Sequence, residues 1–323
     1  MLYILPLQLH ENLKFDNICS GKNTGEIDVA TIRKKIIGKK TYYYLEHAVR
    51  KNAKVEKKEI YLGKKIPGDI EEIKKRFLYD IYKEKWIKIL EKIKEGYQKE
   101  LKKTPPSAQK KEMDNFAIQF TFDTQRIEGS RLTFRETAEL LERGITPKEK
   151  PVHDVKEAES HRKVFFEMLE YRDDLSLSIV LRWHKELFEQ SKLDIAGKIR
   201  EHQVAISGSK FKPPYPVEIY PMLGDFFKWY KRSKNVLHPV QLAGMVHLKF
   251  VTIHPFSDGN GRISRLMMNF VLNREGFPLF NISYRDRRSY YTALERAQVK
   301  KNDFIFLNWF IKRYIKENRR YVV

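Results

Sequence analysis

Between residues 30 and 63, short runs of β-branched and aromatic side chains alternate with basic ones at 33–37, 40–45 and 59–62, and Gly63 closes the last. Runs of this kind with glycine punctuation predict a small antiparallel meander. From 70 to 103 the period lengthens: Ile73, Phe77, Ile81, Ile87 and Leu90 recur at helical spacing among charges, which predicts one or two long exposed helices. Thr104-Pro105-Pro106-Ser107 ends that stretch. A residue before proline is biased out of the α region, so a domain boundary is placed here, with 1–106 on one side and 107–323 on the other. Beyond it the apolar period is helical almost throughout. Thr133-Phe-Arg-Glu136 is a capping box and Gly144 a stop signal. Further helices are predicted at 154–171, 176–190, 218–233, 239–253, 261–275, 287–299 and 303–320. The exception is 203–217, where Val204-Ala-Ile206, Ser207-Gly-Ser209 and Pro213-Pro214 predict a hairpin. The fold class is mainly α, preceded by a small β-rich region and a long helix.

Composition narrows the picture. A chain of 323 residues suits about two domains. With 41% hydrophobic and 33% charged residues it can bury a core, which excludes wholesale disorder. The net charge of +21 attracts polyanions of any kind, and about half the excess lies in the first third of the chain. Cys19 is the only cysteine, so an intrachain disulfide and a cysteine metal cluster are both excluded. The apolar start at 1–9 lacks a basic leader and is cut short by His10 and Glu11. A reducing, cytoplasmic setting without membrane attachment is the expectation.

The chemistry concentrates in His254-Pro-Phe-Ser-Asp258-Gly259-Asn260-Gly261-Arg262-Ile-Ser-Arg265, a loop leading into a helix. Gly259 and Gly261 let consecutive N–H groups converge on an anion at the positive end of the helix dipole. Arg262 and Arg265, three apart in the first turn, add charge-assisted donors. His254 can take a proton near neutral pH, Asp258 offers hard oxygen ligands to Mg²⁺, and Asn260 can bond a phosphate. Each member alone is commonplace, since Asp-Gly-Asn-Gly is an ordinary turn sequence. Together they describe transfer of a nucleotide-derived group to a hydroxyl. His184, His202, His238 and His247 form no tight ligand pattern and are read as structural.

This segment resembles the Fic family, whose signature HxFx(D/E)GNGRxxR is met at every specified position from His254 to Arg265. The resemblance implies a helical Fic core with a β-hairpin flap over about 115–300, and transfer of AMP from ATP to a Ser, Thr or Tyr hydroxyl of a target protein. It casts His254 as the base and Asp258 as the Mg²⁺ ligand. Asn260, Gly259 and Gly261 become the anion hole, and Arg262 and Arg265 hold the outer phosphates. Thr124-Gln-Arg-Ile-Glu128-Gly129 is similar to the family's inhibitory motif (S/T)xxxE(G/N) in its N-terminal placement, which implies that Glu128 pairs with Arg265 and silences the protein. The segment 203–217 matches the flap in position, with Lys210, Phe211 and Pro213 as candidates to clamp a target strand. Asn281, Tyr284 and the pair Tyr290 and Tyr291 lie where the family commonly contacts adenine and ribose.

Other readings stay open. The loop fixes a diphosphate and not a base, so transfer of another phosphate-containing group such as UMP, or removal of AMP, stays open as an alternative. A homodimer is also open. A third reading is a nucleic-acid-binding regulator: Lys34-Lys35, Lys39-Lys40 and Lys57-Lys58 interleave with Tyr42, Tyr43 and Tyr44, and a basic, aromatic sheet can bind strands.

Overall fold

The computed structural model describes residues 30–51 and 54–322. Cys19 and the apolar start at 1–9 lie outside them. The chain divides into two compact units, 1–83 and 84–323.

The first unit holds an antiparallel sheet of β1 (Thr31–Ile37), β2 (Lys40–Lys51) and β3 (Lys54–Gly63) in the order β1-β2-β3. β1 and β2 are joined by a two-residue turn whose first position, Gly38, has a φ of 61°, as such a turn demands. Leu45 is opposite Ile32 on one side and Ile60 on the other, and it is fully buried. The other face carries Tyr42, Tyr44 and Tyr61. There Arg33 pairs with Glu46 at 3.1 Å and Lys35 with Glu59 at 2.9 Å, the Lys35 ammonium lying 4.0 Å over the Tyr44 ring. Two cations of this face, Arg33 and Lys35, are therefore matched by carboxylates.

α1 (Ile70–Lys103) is one helix of 34 residues. It is followed by α2 (Pro106–Ile127), α3 (Phe134–Arg143), α4 (Val152–Glu170), α5 (Leu177–Phe188), α6 (Pro216–Ser233), α7 (Pro239–Ile253), α8 (Asn260–Arg274), α9 (Arg287–Val299) and α10 (Asp303–Glu317). The capping box forms as read: Thr133 and Glu136 exchange bonds, and Gly144 caps α3 with φ 69°. Position 221 in α6 is a proline, yet the helix runs through it.

α8 is the axis of the second unit. Its residues are buried from Asn260 to Leu272 with Gly261 alone excepted, as expected of a helix surrounded by others. α7 runs along it, and α2, α4 and α5 also pack on it. Gly244 in α7 admits the Phe310 ring of α10, where a Cβ would lie 2.7 Å from Cδ1. Among the described residues no helix is long and apolar enough to cross a membrane.

This core holds uncharged histidines. Burial, then the charges of Arg265 and Arg262, push His161 on α4 down to about 3, and burial pushes His247 on α7 well below its ordinary value. The unfolded chain therefore takes up protons that the fold refuses. Stability is whole above about pH 6.5 and falls as the pH drops toward His161's folded value, by about 1.4 kcal/mol per pH unit for each such histidine. Thermal melts from pH 7 to pH 4 are expected to show a steadily decreasing midpoint; a flat profile would mean these rings charge within the fold.

Candidate active site

α7 ends on His254, whose backbone takes φ 53° and ψ 56°, a left-handed conformation uncommon outside glycine. Its Nδ1 lies 3.2 Å from the Val251 carbonyl oxygen, which can only accept, so Nδ1 carries the proton and Nε2 keeps its lone pair. Burial lowers the pKa of this imidazole. The His254 carbonyl accepts from Arg200 Nε at 2.8 Å, and the same guanidinium donates to the carbonyls of His202 at 2.9 Å and Pro214 at 2.7 Å. One buried arginine thus ties the turn to both ends of the 203–217 segment. The segment itself forms no strand ladder: it turns at Ser207 and Gly208, with Ser209 N donating to Ile206 O at 3.1 Å. The expected hairpin is thus a bare turn, because Pro213 and Pro214 bring no N–H to pair.

The loop between α7 and α8 is held from within. The Asn260 amide accepts from Phe256 N at 2.9 Å and donates to Phe256 O at 2.7 Å, so the side chain expected at a phosphate is committed to shaping the loop. Gly197 N donates to His184 Nδ1 at 2.9 Å; His184 Nε2 therefore bears the proton and donates to Asp258 O at 3.0 Å, with its ring stacked on Phe256 at 3.7 Å. Gly259 has φ 82° and a Cβ there would strike Phe188 at 2.4 Å.

The Asp258 carboxylate meets Arg262 Nη2 at 2.7 Å and Lys192 Nζ at 2.6 Å. Arg262 also binds Glu157, and Lys192 lies 3.1 Å from the other Glu157 oxygen. The four side chains close a ring of alternating sign. Burial alone would raise the Asp258 carboxyl, but the charges of Arg262 and Lys192 hold it well below the usual carboxylate range. Among the described residues no cluster of three or more His, Cys, Asp or Glu could hold a metal.

Arg265 faces α2. Its Nη2 donates to Glu128 Oε1 at 2.6 Å, its Nε to Thr124 Oγ1 at 3.2 Å and its Nη1 to Tyr290 OH at 3.4 Å. Thr124 and Glu128, one turn apart, thus reach one guanidinium, and Gly129 with φ 100° lets the chain leave α2. Gly261 lies within α8 without a left-handed φ; its role is the room it leaves, since a Cβ would sit 2.2 Å from Glu128 Oε1.

A cavity of about 610 Å³ gathers Glu128, Gly129, Ser207, His254, Gly261 and Tyr291. Tyr291 OH donates to Ile127 O at 2.9 Å, while Tyr290 is buried against His247, to which its OH is hydrogen-bonded at 3.0 Å. Asn281 and Tyr284 do not line this cavity. Asn281 Nδ2 and Tyr284 N both donate to Asp123, at 2.6 and 2.8 Å, and Arg287 stacks on the Tyr284 ring. Leu294 and Gln298 line it instead, on the α9 face that Tyr291 begins, a helical spacing visible in the sequence. Glu157 and Lys192 carried no local signal at all. Of the four histidines read as structural, His184 steadies the loop, His247 bonds Tyr290, His238 caps α7 by accepting from Val240 N, and His202 offers its carbonyl to Arg200.

Comparison with known proteins agrees with this layout. Residues 174–272 match the Fic/DOC family. The "Protein adenylyltransferase Fic" of Nematostella vectensis is 30% identical over 185 residues, 56% of this chain and 43% of its own. "Protein adenylyltransferase fic-1" of Caenorhabditis elegans is 30% identical over 186 residues, 56% of this chain and 36% of its own. The match takes in less than half the length of either relative. The crystal structure of a Fic domain containing signaling protein from Bacteroides thetaiotaomicron superposes with a TM-score of 0.65 at 26% identity, covering 72% of this chain and 96% of that one. The signature loop, His254 to Arg265, lies inside the stretch that matches the Fic/DOC family.

Proposed function

We propose that the chain is a self-inhibited protein adenylyltransferase, moving AMP from ATP to a Ser, Thr or Tyr hydroxyl of a target protein and of itself. The observation that carries this reading is the Glu128 carboxylate seated on Arg265 in the same cavity as His254. His254 Nε2 takes the proton of the incoming hydroxyl as its oxygen bonds to the α-phosphorus. The bond from that phosphorus to the bridging oxygen breaks, and pyrophosphate leaves. N–H groups at the head of α8 face the phosphates, and Arg265, once released from Glu128, holds their outer end. Arg262, gripped by Glu157, orients Asp258. Mg²⁺ is usually bound by one or two carboxylates together with substrate phosphates, which suits a lone Asp258, and when bound it neutralises phosphate charge. Tyr291, Leu294 and Gln298 take the base. The target enters past the 203–217 turn, which Glu295 of α9 holds by accepting from Lys210 N at 2.9 Å.

A base whose pKa burial has lowered from the ordinary 6.5 reaches half-protonation only below that pH. The acidic limb of kcat/KM for Glu128→Gly is therefore expected to have its midpoint below that value; a midpoint above it would mean that the imidazole is not the base. The reading as a whole is tested by intact-mass analysis of Glu128→Gly protein incubated with Mg²⁺ and a panel of nucleoside triphosphates. Addition of one or more AMP groups supports it, addition of UMP changes the donor, and no addition to the chain or to any lysate protein removes it. The same carboxylate, at the phosphate loop, can also hold a water, so removal of AMP is a second reading; it requires that the unchanged chain release AMP from a modified target and that Glu128→Gly not do so.

A further inference from the structure

The ring formed by Asp258, Arg262, Glu157 and Lys192 contains two carboxylates and two cations, so its net charge is zero, and its members differ in freedom. Arg262 and Glu157 are buried, with side chains 3% and 5% exposed, whereas those of Lys192 and Asp258 are each 35% exposed. Arg262 has further anchors in Gln125 Oε1 at 3.2 Å and the Phe188 ring at 4.6 Å. Lys192 lies just beyond the end of α5 on a flexible four-carbon stem, and its 2.6 Å contact takes up the Asp258 oxygen that Arg262 leaves free. Both oxygens of the one carboxylate read here as the metal ligand are thus already on cations, and only one of those cations can leave without unburying a charge.

We propose that Lys192 is a resident counter-cation of Asp258, a positioning residue that a divalent metal must displace before it can join the nucleotide. The inference rests on the adenylyltransferase reading and adds a device to it. Without metal, the ammonium cancels the Asp258 charge that would otherwise repel a triphosphate. With metal, the same ammonium competes for Oδ2 and raises the metal concentration at which the loaded site forms. The displaced Lys192 keeps its pairing with Glu157, so its release leaves no buried charge unmatched.

The test uses the full chain carrying Glu128→Gly and the non-hydrolysable analogue adenylyl imidodiphosphate. Its affinity is measured by calorimetry once in EDTA and once with saturating Mn²⁺, and the ratio of the two is the metal enhancement. Lys192→Met is expected to weaken binding in EDTA and tighten it with Mn²⁺, raising the enhancement about tenfold, the scale of one charge-assisted hydrogen bond. Opposite signs in the two conditions are something a merely structural defect would not produce. Lys198→Met removes the same charge from an exposed neighbour whose ammonium bonds only Asp194 O, and it is expected to leave the enhancement unchanged. Should Lys192→Met fail to fold, Lys192→Arg tests the point in reverse, because a guanidinium fork held by both carboxylates is harder to displace and lowers the enhancement several-fold. An enhancement in Lys192→Met equal to that in Lys198→Met, or a parallel loss in both conditions, overturns the inference while leaving the nucleotide site standing. Absence of analogue binding in every variant, with or without Mn²⁺, overturns the adenylyltransferase reading and the inference with it.

Discussion

Replacing Glu128 by glycine is expected to raise the rate of AMP incorporation about 10- to 100-fold over the unchanged chain in the same ATP and Mg²⁺ assay. Glu128 Oε1 accepts from Arg265 Nη2 at 2.6 Å, and a hydrogen bond to a charged partner contributes about 1.5–3 kcal/mol, or roughly one to two powers of ten. The lower half of the range is favoured because the Glu128 side chain is 25% exposed. The backbone at 128 has φ −86° and ψ 4°, open to any residue, so glycine leaves the end of α2 in place. What changes is Arg265, which loses its carboxylate and gains a vacancy that a terminal phosphate can fill. Glu128→Gln, which keeps the shape and drops the charge, is expected to fall between the two. Equal rates in all three proteins, followed by intact mass over time, would show that the pair is structural and not inhibitory.

His254→Ala in the Glu128→Gly background is expected to cut incorporation by about 10²- to 10⁴-fold, the range for a positioned general base. Two features make the interpretation clean. The imidazole is fixed by Val251 through Nδ1, so its Nε2 is the basic atom, and no other described residue was placed in that role. The substitution also sits at φ 53°, where alanine costs about 1–2 kcal/mol, so His254→Asn, which tolerates the left-handed region, separates lost chemistry from lost fold. Nucleotide affinity is expected to change by no more than a few-fold, because on the proposed reading the imidazole meets the hydroxyl and not the phosphates. Transfer that survives at near-full rate in both variants would remove His254 from the reaction.

The parts of this protein governed by near neighbours were legible in the sequence. Bounds for α7 and α9 match the periodicity to the residue, and Thr133 and Glu136 start α3 and Gly144 stops it as their chemistry requires. The stretch 70–103 left one helix or two open, since exposed charges do not report a break, and it is one. Glu128 reaches Arg265 as the motif implied, because a carboxylate one turn after Thr124 shares its face. Distant pairings were not legible. Nothing near Lys192 or Glu157 in sequence shows that they meet over Asp258, 66 and 101 positions away respectively from it. Asn281 and Tyr284 had suitable chemistry, but Asp123 on α2 takes the Asn281 amide and the Tyr284 backbone N–H, and Arg287 covers the Tyr284 ring. Asn260 was read by type as a phosphate donor, whereas its geometry engages both ends of its amide with Phe256.

On the proposed reading, the missing side chain at position 261 ties brake and engine together. A methyl group there would evict the Glu128 carboxylate, but it would also lie 3.1 Å from Arg265 Nη1, on the guanidinium that the proposed reading gives to the outer phosphate. On that reading, a permanently active form is therefore reached by changing Glu128 at the end of α2 and not by filling the space at 261, where the added group would itself stand in the way.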